Sequence, residues 1–217
     1  MCRSIPLGTL FAIKSVRAAN QSLLDIAIRE YETLFQLHHP HIVSVYALFL
    51  EPESQEASLL MDFLPGKSLS QLLREGHRFT GRVHIEAEVK CVARQLLSAL
   101  LYLDSQGVAH RDINPANIIL AGAQATLIDF QTACSLTPSG LCGVIGTAHF
   151  QAPEMWSPSG YGTKVDVWSL GLVLKRLLLS SETPPSAAGL EVVAWCSQSN
   201  PAERCSAEQA LQMTWLL

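Results

Sequence analysis

Residues 110–120, with the sequence HRDINPANIIL, constrain this chain more than any other stretch. An Arg-Asp pair is followed, five residues after Asp112, by Asn117 and then by a short apolar run. A carboxylate in such a loop can accept a proton or orient a hydroxyl group, and an amide oxygen can bind a divalent cation. The apolar run predicts a buried strand that fixes the loop. The stretch therefore predicts an acid–base group beside a metal ligand.

Two charged residues near the start of the chain allow two interpretations. Residues 10–16 predict a strand that alternates around Lys14, and residues 21–37 predict an amphipathic helix with Glu30 beside its apolar stripe. Taken alone, these side chains are a solvated edge lysine and an ordinary surface carboxylate. The alternative is an ion pair between strand and helix, because a buried ammonium group requires a counter-charge.

The pattern that follows predicts a small sheet and then a helical part. Strands are predicted at residues 42–50 and 57–63, and Pro65-Gly66 then interrupts the apolar pattern. A long helix is predicted at residues 84–106 and a shorter one at residues 190–196. The Pro-Gly break therefore predicts a boundary between a small sheet-plus-helix lobe and a larger helical lobe.

An aspartate follows a predicted hairpin whose strands are residues 118–120 and 126–128. A lone aspartate at the end of a strand is usually a turn cap. This hairpin, however, would return Asp129 to the side of Asn117. Two oxygen ligands in one place suit Mg²⁺, which takes its remaining ligands from phosphate and water.

The composition favours an intracellular globular protein. The 217 residues are 48% apolar and carry a net charge of −4, which gives no reason to expect nucleic acid or a membrane as a partner. Charged residues interrupt the longest apolar stretches, so no membrane span is expected. The six cysteines are scattered without a C-x-x-C pair, and this favours a reducing compartment. We therefore expect a cytoplasmic protein.

Seven elements resemble those of one family and occur in that family's order. They are FAIK, Glu30, the segment 62–64, HRDINPAN, IDF, APE and DVWSLG. Together they resemble the eukaryotic protein kinase domain, and GTAHFQAPE is similar to the serine/threonine type. The resemblance implies an α+β, bilobal protein-kinase-like fold over residues 1–217. Residues 1–64 would form the hinge and a partial N-lobe, a small antiparallel sheet with a helix, and residues 65–217 a larger, mainly helical C-lobe.

The resemblance also implies a site for ATP and Mg²⁺. Lys14, held by Glu30, would bind the α- and β-phosphates of ATP, and Asp129 and Asn117 would bind Mg²⁺. Asp112 would orient the hydroxyl group of a protein substrate. The adenine pocket would be formed by Ala12, Met61, Asp62, Leu64 and Ile119.

Two contacts are implied near the substrate. Thr147 would shape the substrate site, and Glu154 would form a bidentate pair with Arg204 that closes the preceding segment onto the helical lobe.

The resemblance implies that Asp166 holds the backbone of the loop that contains His110 and Arg111. In kinases an arginine at the position of Arg111 usually pairs with a phosphorylated residue of the activation segment. Here Cys142 and Gly143 occupy the usual positions of that residue. The sequence therefore predicts that this switch is weak or missing.

Three features depart from the family pattern. No Gly-rich loop precedes Lys14, so either the sequence is truncated or ATP is held from one side only. Asn114 replaces a lysine whose charge on the transferring phosphoryl group is worth about 10²–10³ in rate. Gln131 replaces the glycine after IDF and restricts the backbone of that segment. Two functions therefore stay open: a serine/threonine kinase, or a pseudokinase that binds partners without useful transfer.

Overall fold

The computed structural model describes residues 8, 10–17, 21–51, 55–75, 85–180 and 183–217. Its first part is a three-stranded antiparallel sheet with a helix. The strands are β1 (Phe11–Arg17), β2 (Val45–Glu51) and β3 (Glu56–Asp62), in the order β1-β3-β2. Helix α1 (Gln21–Gln36) lies between β1 and β2 in the chain and packs on the sheet.

Strand β1 alternates as its sequence predicts. Ile13, Ser15 and Arg17 are exposed, whereas Ala12 and Lys14 lie on the more buried face. The antiparallel register places Lys14 opposite the fully buried Leu59 of β3. The lysine therefore points toward the interior, where a charged amine needs an anionic partner.

The predicted strand at residues 42–50 is wrong at its start. Strand β2 begins only at Val45, because the preceding backbone pairs elsewhere. The Val43 N–H donates to the Leu127 carbonyl at 3.0 Å, and the Leu127 N–H donates to the His41 carbonyl at 2.9 Å. These two hydrogen bonds tie the segment before β2 to the far hairpin, and so they bring the sheet and the hairpin together.

The larger part of the structure is mainly helical. Its helices are α2 (Leu69–Arg74), α3 (Ile85–Ser105), α4 (Lys164–Leu178), α5 (Ala187–Cys196) and α6 (Ala207–Leu211). Short strands lie among them: β4 (Lys67–Ser68), β5 (Val108–Ala109), β6 (Ile118–Ala121), β7 (Gln124–Leu127) and β8 (Cys134–Ser135). Strands β6 and β7 form the predicted hairpin, and β4 pairs with β6. The sheet, α1 and these helices give the expected α+β fold.

Helix α4 is the central buried element of the helical part. Its residues Leu170, Val173, Leu174 and Leu177 are fully buried. The same hydrophobic core continues through α3 and reaches Leu34 of α1, so one core supports both the sheet and the helices. None of the helices within the described ranges combines the length and the apolar character that a bilayer crossing requires.

The predicted helix at residues 190–196 starts three residues earlier than the apolar pattern suggests. Helix α5 begins at Ala187 because the Ser186 hydroxyl caps it, accepting a hydrogen bond from the Gly189 N–H. In contrast, the capping box of Ser206 and Gln209 at the start of α6 is visible in the sequence and is present in the structure.

Glu86, near the start of α3, links three distant parts of the chain. Its carboxylate accepts hydrogen bonds from the Ser186 N–H at 3.0 Å, from the Ser186 hydroxyl and from the Trp215 indole at 2.7 Å. Burial acts to raise the pKa of Glu86, but these donors outweigh it, and the net effect is a pKa below the usual value.

We expect this contact to make stability depend on pH. A carboxylate with a lowered pKa in the folded state stabilises the fold above its unfolded pKa and loses that effect as pH falls through the folded pKa. Glu86→Gln should therefore lower the melting temperature at pH 7, and its difference from the wild type should shrink as pH falls below about 4.5. Glu191→Gln, on the exposed side of α5, is the control. An unchanged difference at low pH would contradict this role.

Candidate functional site

Lys14 forms an ion pair with two carboxylates from distant elements. Its Nζ lies 2.8 and 3.0 Å from the two carboxylate oxygens of Glu30 on α1, and 2.8 Å from Oδ1 of Asp129 after β7. The Glu30 side chain is only 1% exposed. The interpretation of these residues as solvated surface charges is therefore wrong, and the alternative of an ion pair between strand and helix is correct.

Glu30 also holds the segment that follows Asp129. The Phe130 N–H donates to Oε1 of Glu30 at 3.2 Å, so one buried carboxylate contacts β1 and the segment after β7 at once. Phe130 is itself buried, and its ring meets the His110 ring edge-on, with centroids 4.6 Å apart. The position of α1 is thereby coupled to the loop at residues 110–117.

The β6–β7 hairpin places Asp129 beside Asn117, as the sequence predicts. The Ile128 N–H donates to the Asn117 carbonyl at 2.9 Å, one residue before Asp129. Asp129 has a positive φ of 63°, which few residues other than glycine adopt. In this conformation the Asp129 carboxylate contacts the Lys14 amine.

Asp112 lies at the centre of a hydrogen-bond network. Its Oδ1 accepts from the Thr147 N–H at 2.7 Å and from the Thr147 hydroxyl at 2.8 Å, and its Oδ2 accepts from the Asn117 amide at 2.9 Å. The Asn114 amide donates to the Asp112 carbonyl at 3.2 Å and to the Thr147 hydroxyl at 3.1 Å. These contacts fix the Asp112 carboxylate in one orientation.

A glycine allows Thr147 to reach Asp112. Gly146 has a φ of +91°, and a Cβ at this position would lie 2.3 Å from the Arg111 carbonyl oxygen. No other residue fits such an approach of two backbones. The segment around residue 147 therefore lies directly against the loop that carries Asp112.

Asp166 anchors the backbone of the loop that carries Asp112. It is 2% exposed and accepts hydrogen bonds from the His110 N–H at 2.7 Å and from the Arg111 N–H at 2.8 Å. Burial raises the pKa of Asp166, although these donors oppose the shift. The two bonds hold Arg111 in a left-handed conformation, with a φ of 65°. The contact is the one that the family resemblance implies.

The Arg111 side chain is directed at backbone groups of the following segment. Its Nε donates to the Thr132 carbonyl at 2.7 Å, and its Nη1 lies 3.4 Å from the Cys142 carbonyl and 3.5 Å from the Tyr161 hydroxyl. The guanidinium group therefore contacts the segment through two backbone carbonyls and one tyrosine hydroxyl. The proposal of a weak phosphorylation switch stays a prediction.

A cavity of about 340 Å³ lies between the sheet and the helical part, and Lys14 borders it. Seven lining residues are those that the sequence predicts for ATP: Ala12, Lys14, Met61, Asp62, Leu64, Ile119 and Asp129. Phe63, which also lines the cavity, belongs to the predicted segment 62–64. The sequence did not assign three more lining residues to the pocket: Glu30, assigned only as the partner of Lys14, and Val43 and Ile128. Ile128 adjoins Asp129, whereas Val43 was assigned to a strand that does not form there.

The residues present fit ATP and Mg²⁺. The cavity is lined mainly by apolar side chains, as an aromatic base requires, and a lysine amine and a carboxylate border one part of it. The amide nitrogen of Asn117 donates to Asp112, so the side-chain oxygen is the atom of Asn117 that could bind a cation. Among the described residues, no group of three or more His, Cys, Asp or Glu side chains is arranged to hold a metal. Asn117 and Asp129 would therefore bind Mg²⁺ together with phosphate and water.

The predicted pair of Glu154 and Arg204 is present and bidentate. Nη1 and Nη2 of Arg204 lie 2.5 and 2.9 Å from the two carboxylate oxygens of Glu154. The guanidinium group is fully buried, lies over the Trp168 ring at 5.0 Å and donates to the carbonyls of Gln198 and Lys164 at 2.9 Å each. This contact joins the segment after Thr147 to the start of α6.

Comparison with known proteins agrees with this geometry. A serine/threonine-protein kinase of Drosophila persimilis is 32% identical over 180 residues, which are 80% of this chain and 22% of the relative. Serine/threonine-protein kinase PAK mbt of Drosophila melanogaster is 31% identical over 79% of this chain and 26% of its own length. Sperm motility kinase 3A of Mus musculus is 32% identical over 85% of this chain and 35% of its own length.

The chain thus spans about a fifth to a third of the length of these curated relatives. A family model described as the protein kinase domain matches residues 1–188, which include every element of the site except Arg204. With the contacts of Lys14, Asp112 and Asp166 in place, the chain belongs to the protein kinase domain family.

Proposed function

We propose that this chain is a protein serine/threonine kinase that transfers phosphate from ATP to hydroxyl groups of protein substrates. The observation that carries the proposal is the joint contact of Lys14 with Glu30 and Asp129 at the border of one cavity. A positioned amine, a metal-binding carboxylate and a cleft for a base are what phosphoryl transfer requires of a protein. The relatives named as serine/threonine kinases support this substrate class.

Each residue of the site then has one task. When bound, ATP would supply the phosphoryl group and Mg²⁺ would neutralise its developing charge. Lys14 binds the phosphates, and Glu30 holds its amine in place through two contacts of 2.8 and 3.0 Å. Asn117 and Asp129 provide oxygen ligands for the metal.

Asp112 orients the substrate hydroxyl and accepts its proton. Thr147 and Asn117 already hold the two carboxylate oxygens of Asp112, so the group needs little rearrangement when a substrate binds. The adenine would lie against Ala12, Met61 and Ile119, with the backbone of residues 62–64 along its edge.

ATP binding is tested by thermal unfolding. At a hundredfold excess over its dissociation constant, Mg²⁺-ATP should raise the melting temperature of the wild type by about 5 °C or more. Lys14→Met should lose most of this shift, because the phosphates lose their cation. Lys175→Met, on the exposed side of α4, should keep it. Equal shifts in the wild type and in Lys14→Met would contradict the assigned site.

One observation favours a second function, that of a pseudokinase. Asn114 is 5% exposed, and its amide group is used by Asp112, Thr147 and Ala116. These hydrogen bonds hold Asn114 in the loop beside Asp112. The neutral amide, however, supplies no positive charge to a transferring phosphoryl group. A chain that binds ATP here but transfers phosphate slowly would serve as a partner-binding module.

The effect of that missing charge can be measured directly. We expect Asn114→Lys to raise the transfer rate by about tenfold to a hundredfold, because an ammonium group would stabilise charge in the transition state. Asn114→Met, of similar length but without charge, is the matched control and should not raise it. If both variants are equally slow, the lack of a lysine at position 114 does not limit the transfer rate.

A further inference from the structure

We propose that Cys196 and Cys205 are an oxidative modification site, at which hydrogen peroxide produces an intramolecular disulfide beside the Arg204 anchor. This proposal is independent of the proposed phosphoryl transfer. It rests on the contact between two thiols and on the cations that surround them.

The two sulfur atoms are already in contact. The Sγ atoms of Cys196 and Cys205 lie 3.7 Å apart, and both side chains are buried. Cys196 is the last residue of α5, and the Cys205 N–H lies 3.4 Å from the carbonyl oxygen of Trp195. A disulfide has an S–S distance of about 2.05 Å, so the sulfurs must approach by less than 2 Å.

A glycine of α4 makes room for this pair. A Cβ on Gly171 would lie 2.8 Å from the Cβ of Cys196. The glycine therefore lets the end of α5 lie close against α4. Helix α5 is thereby held against α4 beside the thiol pair.

The surroundings make the two thiols unequal. The hydrogen bond between Cys205 and Cys196 lowers the pKa of Cys205, burial opposes this, and the charges of Lys164 and Arg204 lower the pKa further. The same hydrogen bond and burial raise the pKa of Cys196. Cys205 is therefore the thiol that reacts first, because the thiolate is the nucleophile.

The reaction balances with hydrogen peroxide as the two-electron oxidant. The Cys205 thiolate attacks one peroxide oxygen, the O–O bond breaks, and a sulfenic acid and hydroxide form. The sulfur of Cys196 then attacks the sulfur of the sulfenic acid, and the S–O bond breaks as the S–S bond forms. The oxygen leaves as water, which takes up the thiol proton. In total, two thiols and one peroxide give one disulfide and two molecules of water.

The bond would restrain the anchor of the segment after Thr147. Arg204 precedes Cys205 directly, and its guanidinium group holds Glu154 and the Gln198 carbonyl. Gln198 lies inside the loop that the disulfide closes. Closing this loop removes freedom from the unfolded chain, so the oxidised protein should be the more stable form.

Peptide mapping of the full chain tests the proposal, because cleavage after arginine and lysine separates the two cysteines. Trypsin should release residues 177–204 with Cys196 and residues 205–217 with Cys205. After peroxide treatment, thiol blocking and digestion without reductant, we expect these peptides to be linked with the loss of two hydrogens. Dithiothreitol should separate them again, and the melting temperature should be about 5 °C higher in the oxidised protein.

Variants of other cysteines provide the matched control. Cys142 is exposed and Cys134 is partly exposed, so both are more accessible than the proposed pair. Cys134→Ser and Cys142→Ser should keep the linked peptides, and Cys205→Ser should lose them. Blocked, unlinked Cys196 and Cys205 in the treated wild type would overturn the proposal, as would a link from either of them to another cysteine. This result in the wild type decides the matter even if Cys205→Ser does not fold.

Discussion

We expect Asp112→Asn to lower the rate of phosphoryl transfer by about a thousandfold. The substituted amide has nearly the same shape as the carboxylate but cannot accept the proton of a substrate hydroxyl, and such acid–base groups contribute about 10²–10⁴ in rate. Its contacts with Thr147 and Asn117 would also weaken, because the carboxylate now accepts from both. The measurement is the initial rate of label transfer from ATP to a serine- or threonine-containing peptide.

Two controls separate chemistry from folding in this experiment. Asp104→Asn changes an exposed carboxylate on α3 and should leave the rate unchanged. The melting temperature shift of Asp112→Asn with Mg²⁺-ATP should match that of the wild type, because the residue does not line the cavity. A rate equal to that of the wild type would show that Asp112 does not serve as the acid–base group.

Arg204→Met should cause the largest loss of stability of any variant considered. The substitution introduces an apolar side chain of similar length and leaves Glu154 without its bidentate partner. Removing one partner of a buried ion pair costs about 3–5 kcal/mol. For a chain of this size we expect the melting temperature to fall by about 10 °C or more.

The double variant Glu154→Met and Arg204→Met shows whether the unpaired charge is the cause. Because no charge is then left without a partner, the double variant should regain a substantial part of the loss. Chemical unfolding of the wild type, both single variants and the double variant gives the coupling. A double variant whose loss equals the sum of the single losses would contradict the account.

The sequence indicates most of the contacts that depend on local periodicity. The alternation of β1 directs Lys14 inward, and the apolar stripe of α1 brings Glu30 to the same side, so their pairing follows from two local patterns. The hairpin likewise returns Asp129 to Asn117. In each case one element of regular geometry determines where the polar group lies.

Contacts that depend on non-local backbone approach are not visible in the sequence. The bonds between Thr147 and Asp112 require Gly146 to lie against Arg111, 35 residues from it in the chain. The start of the predicted strand at residues 42–50 does not join β2. Its backbone forms hydrogen bonds with Leu127 of β7 instead. Apolar periodicity shows which side chains are buried but not which backbone groups pair.

The Cys196–Cys205 contact has the same origin. The residues are nine positions apart and lie on either side of a turn, so no sequence spacing distinguishes them from the other scattered cysteines. The approach of α5 to α4 at Gly171 decides it. In the sequence a buried cysteine resembles any other apolar residue, so periodicity does not show which two thiols meet.

The central claim is that Lys14, Glu30, Asp112, Asn117 and Asp129 act on one nucleotide and its metal. Transfer of labelled γ-phosphate from Mg²⁺-ATP to a serine- or threonine-containing peptide by the purified chain tests it most directly. We predict transfer that requires Mg²⁺ and falls by about a thousandfold in Asp112→Asn. Background transfer by the wild type, in a sample whose melting temperature still rises with ATP, would contradict it and leave the pseudokinase function.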